Sequence, residues 1–317
     1  MGFSDALFGS LEILNEAYKI KGKIIPRITL CFLILSSTLF LSNLILIQPL
    51  VSDFSIQLNT LITTSPIPGS PDFPNLIISM IDDLRIFAGE EWIFLVSFSF
   101  TSIVFEIATI LSSTAEHCEK QFGIEDLQVR IIKTWKRTFV TLFYTTLLDL
   151  GYAFFVLAFF LPLVMISNSK ITITCFSILI FILAVLFRLY LATVWTLALV
   201  VSILEEKGGI EALGKAGQLV KGLELKGFFL KLMFETIYYV MLMLFMWISN
   251  KQSFFFTVLL SLVFLKFFCL VKMFSFVVFT VFYFESKKTH GEEVELQGTD
   301  LEYTNIPTKP LVDAEIP

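Results

Sequence analysis

Charged side chains inside long apolar runs are the residues of this sequence best placed to do chemistry. They are Glu106, Asp149, Arg188, Lys231, Glu235, Lys266 and Lys272. A charge at the centre of a membrane helix costs about 2.5–3.5 kcal/mol on insertion scales, so these side chains should face other helices and pair. Around a polar cavity they would bind an ion, relay protons or hold a lipid headgroup. As closed ion pairs they would fix the register of the helices.

The apolar runs that carry these charges are long enough to cross a bilayer, whose core of about 30 Å needs roughly 20 apolar residues in a helix. The runs are residues 28–50, 92–112, 139–166, 171–204, 227–249 and 254–284. The chain has 56% hydrophobic and 16% charged residues, whereas about 25% of residues are charged in soluble domains. The predicted fold is therefore an all-α bundle of six transmembrane helices.

The position of each charge along its run predicts its partner. Asp149 and Arg188 have comparable depths in the third and fourth runs, which a short turn joins as antiparallel neighbours, so we expect them to pair. Glu235 of the fifth run and Lys272 of the sixth form a second predicted pair. Lys231 lies near the end of its run, where a lysine can reach the interface.

Lysine and arginine are concentrated in alternate loops. Bases precede the first run and lie between the second and third and between the fourth and fifth, whereas the loops of the other side hold only Arg85, Lys170 and Lys251. The positive-inside rule then predicts that both termini face the cytosol. The predicted location is an endomembrane, such as the endoplasmic reticulum, or the plasma membrane.

Three cytosolic segments, residues 1–27, 121–138 and 205–226, are predicted to form amphipathic helices on the membrane surface. The predicted apolar faces are Leu7, Leu11, Leu14 and Tyr18 in the first segment, and Ile210, Leu213, Gly217 and Val220 in the third. The bases expected to face lipid headgroups are Arg130, Lys133, Arg137, Lys215 and Lys221.

The second and third of these segments share the pattern Gly-Ile-Glu-x-Leu, at residues 123–127 and 209–213. Each segment follows one apolar run and leads through bases into the next, so we predict an internal repeat of amphipathic helix and paired spans. The alternative is that cytosolic loops between spans are often amphipathic without any common origin.

The remaining polar segments lie between the first two runs and after the last. Residues 51–91 are predicted to form a long outer loop, extended at the proline-rich residues 65–74 and helical at residues 77–87. Residues 285–317, with eight acids against three lysines, are predicted to be a disordered cytosolic tail.

The segment VVSILEEKGGIEALGKAGQLVKGLELKGFFL, together with GFSDALFGSLEILNEAYKI and VFYFESKKTHGEE, resembles a plant family of multi-pass membrane proteins of unknown function. The pattern is also distantly similar to the membrane domain attached to some bacterial glycerophosphodiester phosphodiesterases. The catalytic domains of those enzymes begin with a His-Arg-Gly type sequence and use metal-binding carboxylates. This chain has only His117 and His290, outside any such domain, so the resemblance does not imply that chemistry.

No glycine-rich phosphate loop, nucleophile elbow or metal motif is found in the sequence. We therefore expect no enzymatic activity and no cofactor, and the net charge of −5 gives no reason to expect nucleic acid. The leading hypothesis is a membrane protein that organises lipid, or a protein partner, at the cytosolic leaflet. The alternative is a carrier or channel that uses the intramembrane charges. A cavity around those charges would favour the carrier or channel. Closed ion pairs would favour the leading hypothesis.

Overall fold

The computed structural model describes residues 3–20, 24–64, 72–118, 123–166, 170–250 and 253–292. These residues form eight α-helices and no strand. The helices are α1 (Phe3–Lys19), α2 (Ile24–Thr64), α3 (Asp72–His117), α4 (Ile124–Ile166), α5 (Lys170–Leu204), α6 (Ile210–Val220), α7 (Glu224–Ser249) and α8 (Phe254–Thr289). All except α1 and α6 are long and apolar enough to cross a membrane. The predicted all-α, six-span architecture is confirmed.

The main apolar core of the described residues lies at one end of the bundle, which we call the packed end. It is formed by α1, α6, the start of α7 and the last turns of α3, α5 and α8. Its fully buried side chains include Phe234, Phe279 and Phe282. The spans are otherwise little buried, with only 6–11% of the apolar window buried in α4, α5, α7 and α8. Such apolar surface suits contact with lipid tails, which are as apolar as leucine.

Helices α2 and α3 are much longer than a membrane span. Their 41 and 46 residues correspond to about 62 and 69 Å at 1.5 Å per residue, against a bilayer core of about 30 Å. The two helices pack against each other, and Gln57 Nε2 donates a hydrogen bond to Asp83 Oδ2 at 2.7 Å. Together they form a hairpin that projects beyond the bilayer.

The long outer loop predicted at residues 51–91 is therefore wrong. Helix α2 continues through Pro49, because a proline removes only one helical hydrogen bond and need not end a long helix. The helix predicted at residues 77–87 is a continuous part of α3. Within the proline-rich segment, Pro74 lies in the first turn of α3, where the missing N–H has no intrahelical acceptor, and residues 65–71 lie outside the described residues.

Helix α4 also differs from its prediction. The sequence predicts a separate surface helix over residues 121–138, but the described part of this segment is the start of the uninterrupted α4. Leu127 and Thr134 are buried, and Trp135 meets the ring of Phe100 on α3 edge to face. This side of the segment packs against the bundle, so the helix continues directly into the span.

Helix α8 continues five residues past the predicted end of the sixth span, to Thr289. Near its end, Glu285 and Lys287 form ion pairs with residues of other elements. The predicted disordered tail, residues 285–317, is therefore wrong for its first part, which is helical and packed. Residues 293–317 lie outside the described residues, so the prediction of disorder is not tested there.

Helix α1 is present, and the face that it packs against the bundle is separate from most of the apolar face predicted to lie toward the membrane. Its buried hydrophobic and polar residues are Ala6, Ser10, Ile13 and Ala17. Leu7, Leu11 and Tyr18 of the predicted face are exposed. Small side chains let a helix approach its neighbours closely, and α1 packs against α7 and α8 through this smaller face.

Helix α6 packs against the bundle with part of its predicted apolar face, because Val220 is fully buried and Leu213 packs against the core. Its buried residues are Ala212, Ala216, Leu219 and Val220. Ile210, expected to face the membrane surface with Leu213, is 66% exposed, and α6 packs against α5, α4 and α8. The predicted surface helix is thus a part of the packed end.

Candidate functional site

Six charged side chains form three ion pairs, two between helices and one within α7, which we call the polar layer. The pairs are Asp149 with Arg188, Lys231 with Glu235, and Glu106 with Lys272. Counted at about 1.5 Å per residue from the helix ends at the packed end, the charges of α3, α5, α7 and α8 lie roughly 10–25 Å away. The layer therefore lies within the spanning segments and borders the apolar core, which includes Ile107 beside Glu106 and Phe234 beside Glu235.

The predicted pair of Asp149 and Arg188 is present and joins α4 to α5. Arg188 Nε and Nη2 donate to Asp149 Oδ1 and Oδ2 at 3.2 and 3.4 Å, so the planar guanidinium faces both carboxylate oxygens. One turn further along α4, the Tyr152 hydroxyl donates to the Ala184 carbonyl of α5 at 2.7 Å. These contacts fix the register of the two helices.

The other two pairs differ from the prediction. Lys272 does not pair with Glu235; its Nζ lies 2.6 Å from Glu106 Oε1 and donates to Ser102 Oγ at 2.8 Å. Glu235 Oε1 is instead 3.3 Å from Nζ of Lys231, one turn earlier on α7. The Lys231 ammonium therefore pairs within the helix and does not extend to the membrane interface. The prediction joined charges of successive spans, whereas α3, distant in sequence, packs beside α8.

Lys266 was predicted to belong to the same network, but it does not join the layer. It is exposed on α8, and no ion pair among the described residues connects it to the other charges. It precedes Lys272 by six residues, which turns it by roughly 240° around the helix axis to another face.

A cleft of about 560 Å³ opens beside the first pair, between α4, α5 and α7. Most of its wall is apolar, including Val156, Phe181 and Val185. Arg188 and Glu235 are its charged groups. Ligand sites commonly have this size, an apolar lining and a few placed polar groups.

A second cavity of about 390 Å³ is lined by α2, α3, α5, α7 and α8. Lys231 and Lys272 line it together with hydroxyl groups, the Cys269 thiol and aromatic rings. Lys231 thus faces this cavity while its partner Glu235 faces the cleft. The ion pair on α7 stands between the two spaces.

Two polar residues of the site were missed by the sequence reasoning. Tyr152 follows Asp149 by three residues, and Ser102 precedes Glu106 by four. This spacing places polar groups on the same helix face as the charge, so it is the signal that could have found them. No group of three metal-binding side chains is found in the described ranges.

Residues 6–301 match a protein family described as a domain of unknown function, DUF8558. The chain belongs to this family. No curated protein and no solved structure matches the chain. The description of DUF8558 gives no activity.

At the packed end of the DUF8558 bundle, several bases predicted to face lipid are instead close to acids. Glu206 Oε1 lies 3.7 Å from Arg137 Nη2 and 3.9 Å from Lys133 Nζ. Lys215 is bound to Glu292, and its side chain is only 15% exposed. The prediction that Lys215 faces lipid is therefore wrong.

The other predicted lipid-facing bases fall into two groups. Arg130 is half-buried, whereas Lys221 is exposed and Lys133 keeps 72% of its side chain exposed. Contact of Lys133 and Lys221 with lipid headgroups stays a prediction.

Glu205, directly after α5, is the centre of the charged cluster at the packed end. Its Oε1 accepts a hydrogen bond from the Tyr283 hydroxyl at 2.8 Å and lies 3.0 Å from Lys287 Nζ. Burial raises the pKa of the Glu205 carboxyl, but the hydrogen bonds from Tyr283 and Lys287 outweigh it and hold the pKa below its ordinary value. The carboxylate is therefore charged at neutral pH and ties α5 to α8.

The turn that follows Glu205 is docked on α4. Glu206 and Gly209 both have a φ of 58°, a left-handed backbone conformation that residues other than glycine rarely adopt. The Gly209 N–H donates to Thr141 Oγ1 at 2.8 Å, and a Cβ at Gly209 would lie 3.1 Å from the Tyr144 ring. Only glycine allows both this backbone conformation and this close approach.

The shared Gly-Ile-Glu pattern has a common local role. Gly123 directly precedes α4 and Gly209 directly precedes α6, and in each case the glutamate falls in the first turn. An acid there is favoured by the positive end of the helix dipole. This explains the pattern as a helix start, and the internal repeat stays a prediction.

Proposed function

We propose that this DUF8558 protein is a non-enzymatic membrane protein that binds a membrane lipid in the cleft between α4, α5 and α7. The observation that carries this proposal is the cleft itself, with about 560 Å³ of space and charged groups in a mainly apolar wall. The apolar wall, which includes Phe181 and Val185, would hold an acyl chain. Arg188 and Glu235 would meet the polar group of the lipid.

The polar groups of the cleft fit a lipid that carries both acceptors and donors. A guanidinium has five N–H donors, and Arg188 directs two nitrogens toward Asp149, which leaves N–H groups for an ester or similar oxygen. Glu235 presents an acceptor for a hydroxyl group. A lipid with ester and hydroxyl groups near its headgroup therefore matches the cleft.

Filling the cleft should remove the bound lipid. Ala184 lines the cleft on α5, so Ala184→Trp would place an indole ring in the space of the acyl chain. We expect the lipid to protein ratio, measured by native mass spectrometry after gentle detergent extraction, to fall several-fold. The matched control is Ala158→Trp on α4, an exposed position outside the cleft. Equal lipid retention by both variants would refute the proposal.

A second candidate role concerns the packed end. Helix α1 exposes Leu7, Phe8 and Leu11, and this ridge supports contact with the lipid leaflet or with a protein partner. This role corresponds to the leading hypothesis from the sequence, which is a membrane protein that organises lipid or a protein partner at the cytosolic leaflet. The charges of the polar layer are paired and also line two spaces, so they do not by themselves separate binding from transport. A carrier or channel would in addition have to pass its cargo through the apolar core of the packed end, so we favour binding over transport.

The proposed location is the endoplasmic reticulum, another endomembrane or the plasma membrane, with both termini in the cytosol. Its support is the distribution of bases among the loops. A relationship to the plant proteins and to the membrane domain of the bacterial phosphodiesterases is likewise proposed on the residues quoted above.

The topology has a direct test. A glycosylation acceptor inserted at Gly69, between α2 and α3, should be modified in the lumen, because that loop is on the side without excess bases. An acceptor inserted at Gly298 should stay unmodified. The measurement is the mobility shift that endoglycosidase removes, and the reverse pattern would invert the proposed orientation.

A further inference from the structure

The second cavity differs from the cleft in the charges that it exposes. Lys231 and Lys272 line it, but their carboxylate partners do not. Glu235 lines the cleft, and the Glu106 side chain is only 7% exposed behind Lys272. The cavity wall therefore presents two ammonium groups, with the negative charges set back.

These ammonium groups have hydrogen-bonding capacity beyond their ion pairs. An ammonium has three N–H donors. Lys272 Nζ contacts Glu106 and Ser102, and Lys231 forms an ion pair with Glu235. One donor on Lys272 and two on Lys231 remain beyond these contacts.

The rest of the wall is suited to an apolar group. Phe32, Phe98 and Phe268 line the cavity, whose volume of about 390 Å³ is many times the ~30 Å³ that a water molecule occupies in the liquid. An anion between the two lysines would form charge-assisted hydrogen bonds, the strong kind, and a chain attached to it would contact the rings.

We propose that this cavity binds the anionic group of a small amphiphile, a carboxylate or a phosphate monoester, with Lys231 and Lys272 as its binding residues. A free inorganic anion offers the same chemistry to the lysines, and the test separates the two sources. The inference does not depend on the lipid proposed for the cleft, because different residues line the two spaces and Ala184→Trp does not touch this cavity.

The probe is dodecyl phosphate, added to the full chain purified in a non-ionic detergent. A ligand that binds only the folded state raises the thermal midpoint with its concentration. We expect a saturable rise with dodecyl phosphate and none with 1-dodecanol, which has the same chain without the charge. A rise with inorganic phosphate alone, at matched concentration, would assign the site to a free anion and reject the amphiphile.

Variants identify the site. The double variant Glu106→Gln with Lys272→Gln removes one ion pair completely, and we expect it to weaken the apparent Kd for dodecyl phosphate by roughly ten-fold, as expected for losing a hydrogen bond to a charged group. Ser275→Leu keeps all charges but fills the cavity, so it tests the site even if the double variant does not fold. Lys266→Gln, exposed on the same helix outside the cavity, should bind as wild type does.

Three results would contradict binding of an anionic amphiphile in this cavity. A midpoint that no charged probe raises, or one that 1-dodecanol raises equally, would overturn the proposal. The same conclusion follows if Ser275→Leu and Lys266→Gln both bind dodecyl phosphate as tightly as wild type.

Discussion

Replacing Glu205 with glutamine is expected to destabilise the fold by about 3 kcal/mol, because it leaves Lys287 buried without its nearest charge. The Lys287 and Glu205 side chains are 9% and 11% exposed. Breaking one partner of a buried ion pair costs about 3–5 kcal/mol. We expect the lower end of this range, because Glu292 lies 4.0 Å from Lys287 Nζ. Thermal or detergent unfolding of the purified chain measures the change.

The control for this prediction is an exposed ion pair. Asp82 and Arg85 on α3 are 3.2 Å apart with 57% and 77% of their side chains exposed, and such pairs contribute about 0–1 kcal/mol. Asp82→Asn should therefore be nearly neutral. If Glu205→Gln is as mild as Asp82→Asn, the contacts of Glu205 with Tyr283 and Lys287 do not stabilise the packed end.

The contribution of Glu205 should also depend on pH. Since the pKa of its carboxyl is held below the ordinary 4.5, its contribution is fully present above that pH and is lost as the pH falls through the lower, folded-state pKa. The difference in unfolding free energy between wild type and Glu205→Gln should be constant near neutrality and shrink on acidification. A difference that grows on acidification would mean that the pKa is raised.

The second large effect is expected at the ion pair of Glu106 and Lys272. Lys272→Gln leaves a carboxylate that is 7% exposed without its cation, at a cost of about 3–5 kcal/mol. Glu106→Gln leaves Lys272 its hydrogen bond to Ser102 Oγ but no counter-ion within the spanning segments, so we expect a cost of similar size. The double variant should be milder than the sum of the two single variants, and equilibrium unfolding of all four proteins measures the coupling.

Asp149 and Arg188 provide the internal comparison for this cycle. Their side chains are 41% and 44% exposed, but within the spanning segments this surface meets the bilayer and the cleft rather than bulk water, so removing one partner still leaves an uncompensated charge. We expect a favourable coupling energy in the cycle of Asp149→Asn and Arg188→Gln as well. If the changes in unfolding free energy of Glu106→Gln and Lys272→Gln simply add in the double variant, the 2.6 Å contact between the two side chains does not stabilise the fold.

The sequence alone determined the number of spans and one ion pair. Six apolar runs predict six membrane helices because burying a helix in lipid requires a minimum length of apolar side chains, which is a local property. The pair of Asp149 and Arg188 was predictable because a short turn makes α4 and α5 antiparallel neighbours and matches the depths of the two residues. No other helix had to be placed.

Only the tertiary structure decided the partners of the remaining charges and the faces of the short helices. Lys272 meets Glu106, 166 positions earlier, because α3 packs beside α8, and no pattern within either helix encodes that contact. Helix α1 buries Ala6 and Ala17 rather than Leu11, because the distance of closest approach between helices, and not hydrophobicity alone, selects the face that packs. Hydrophobic patterns specify that a helix has an apolar face, while its neighbours determine whether lipid or protein covers that face.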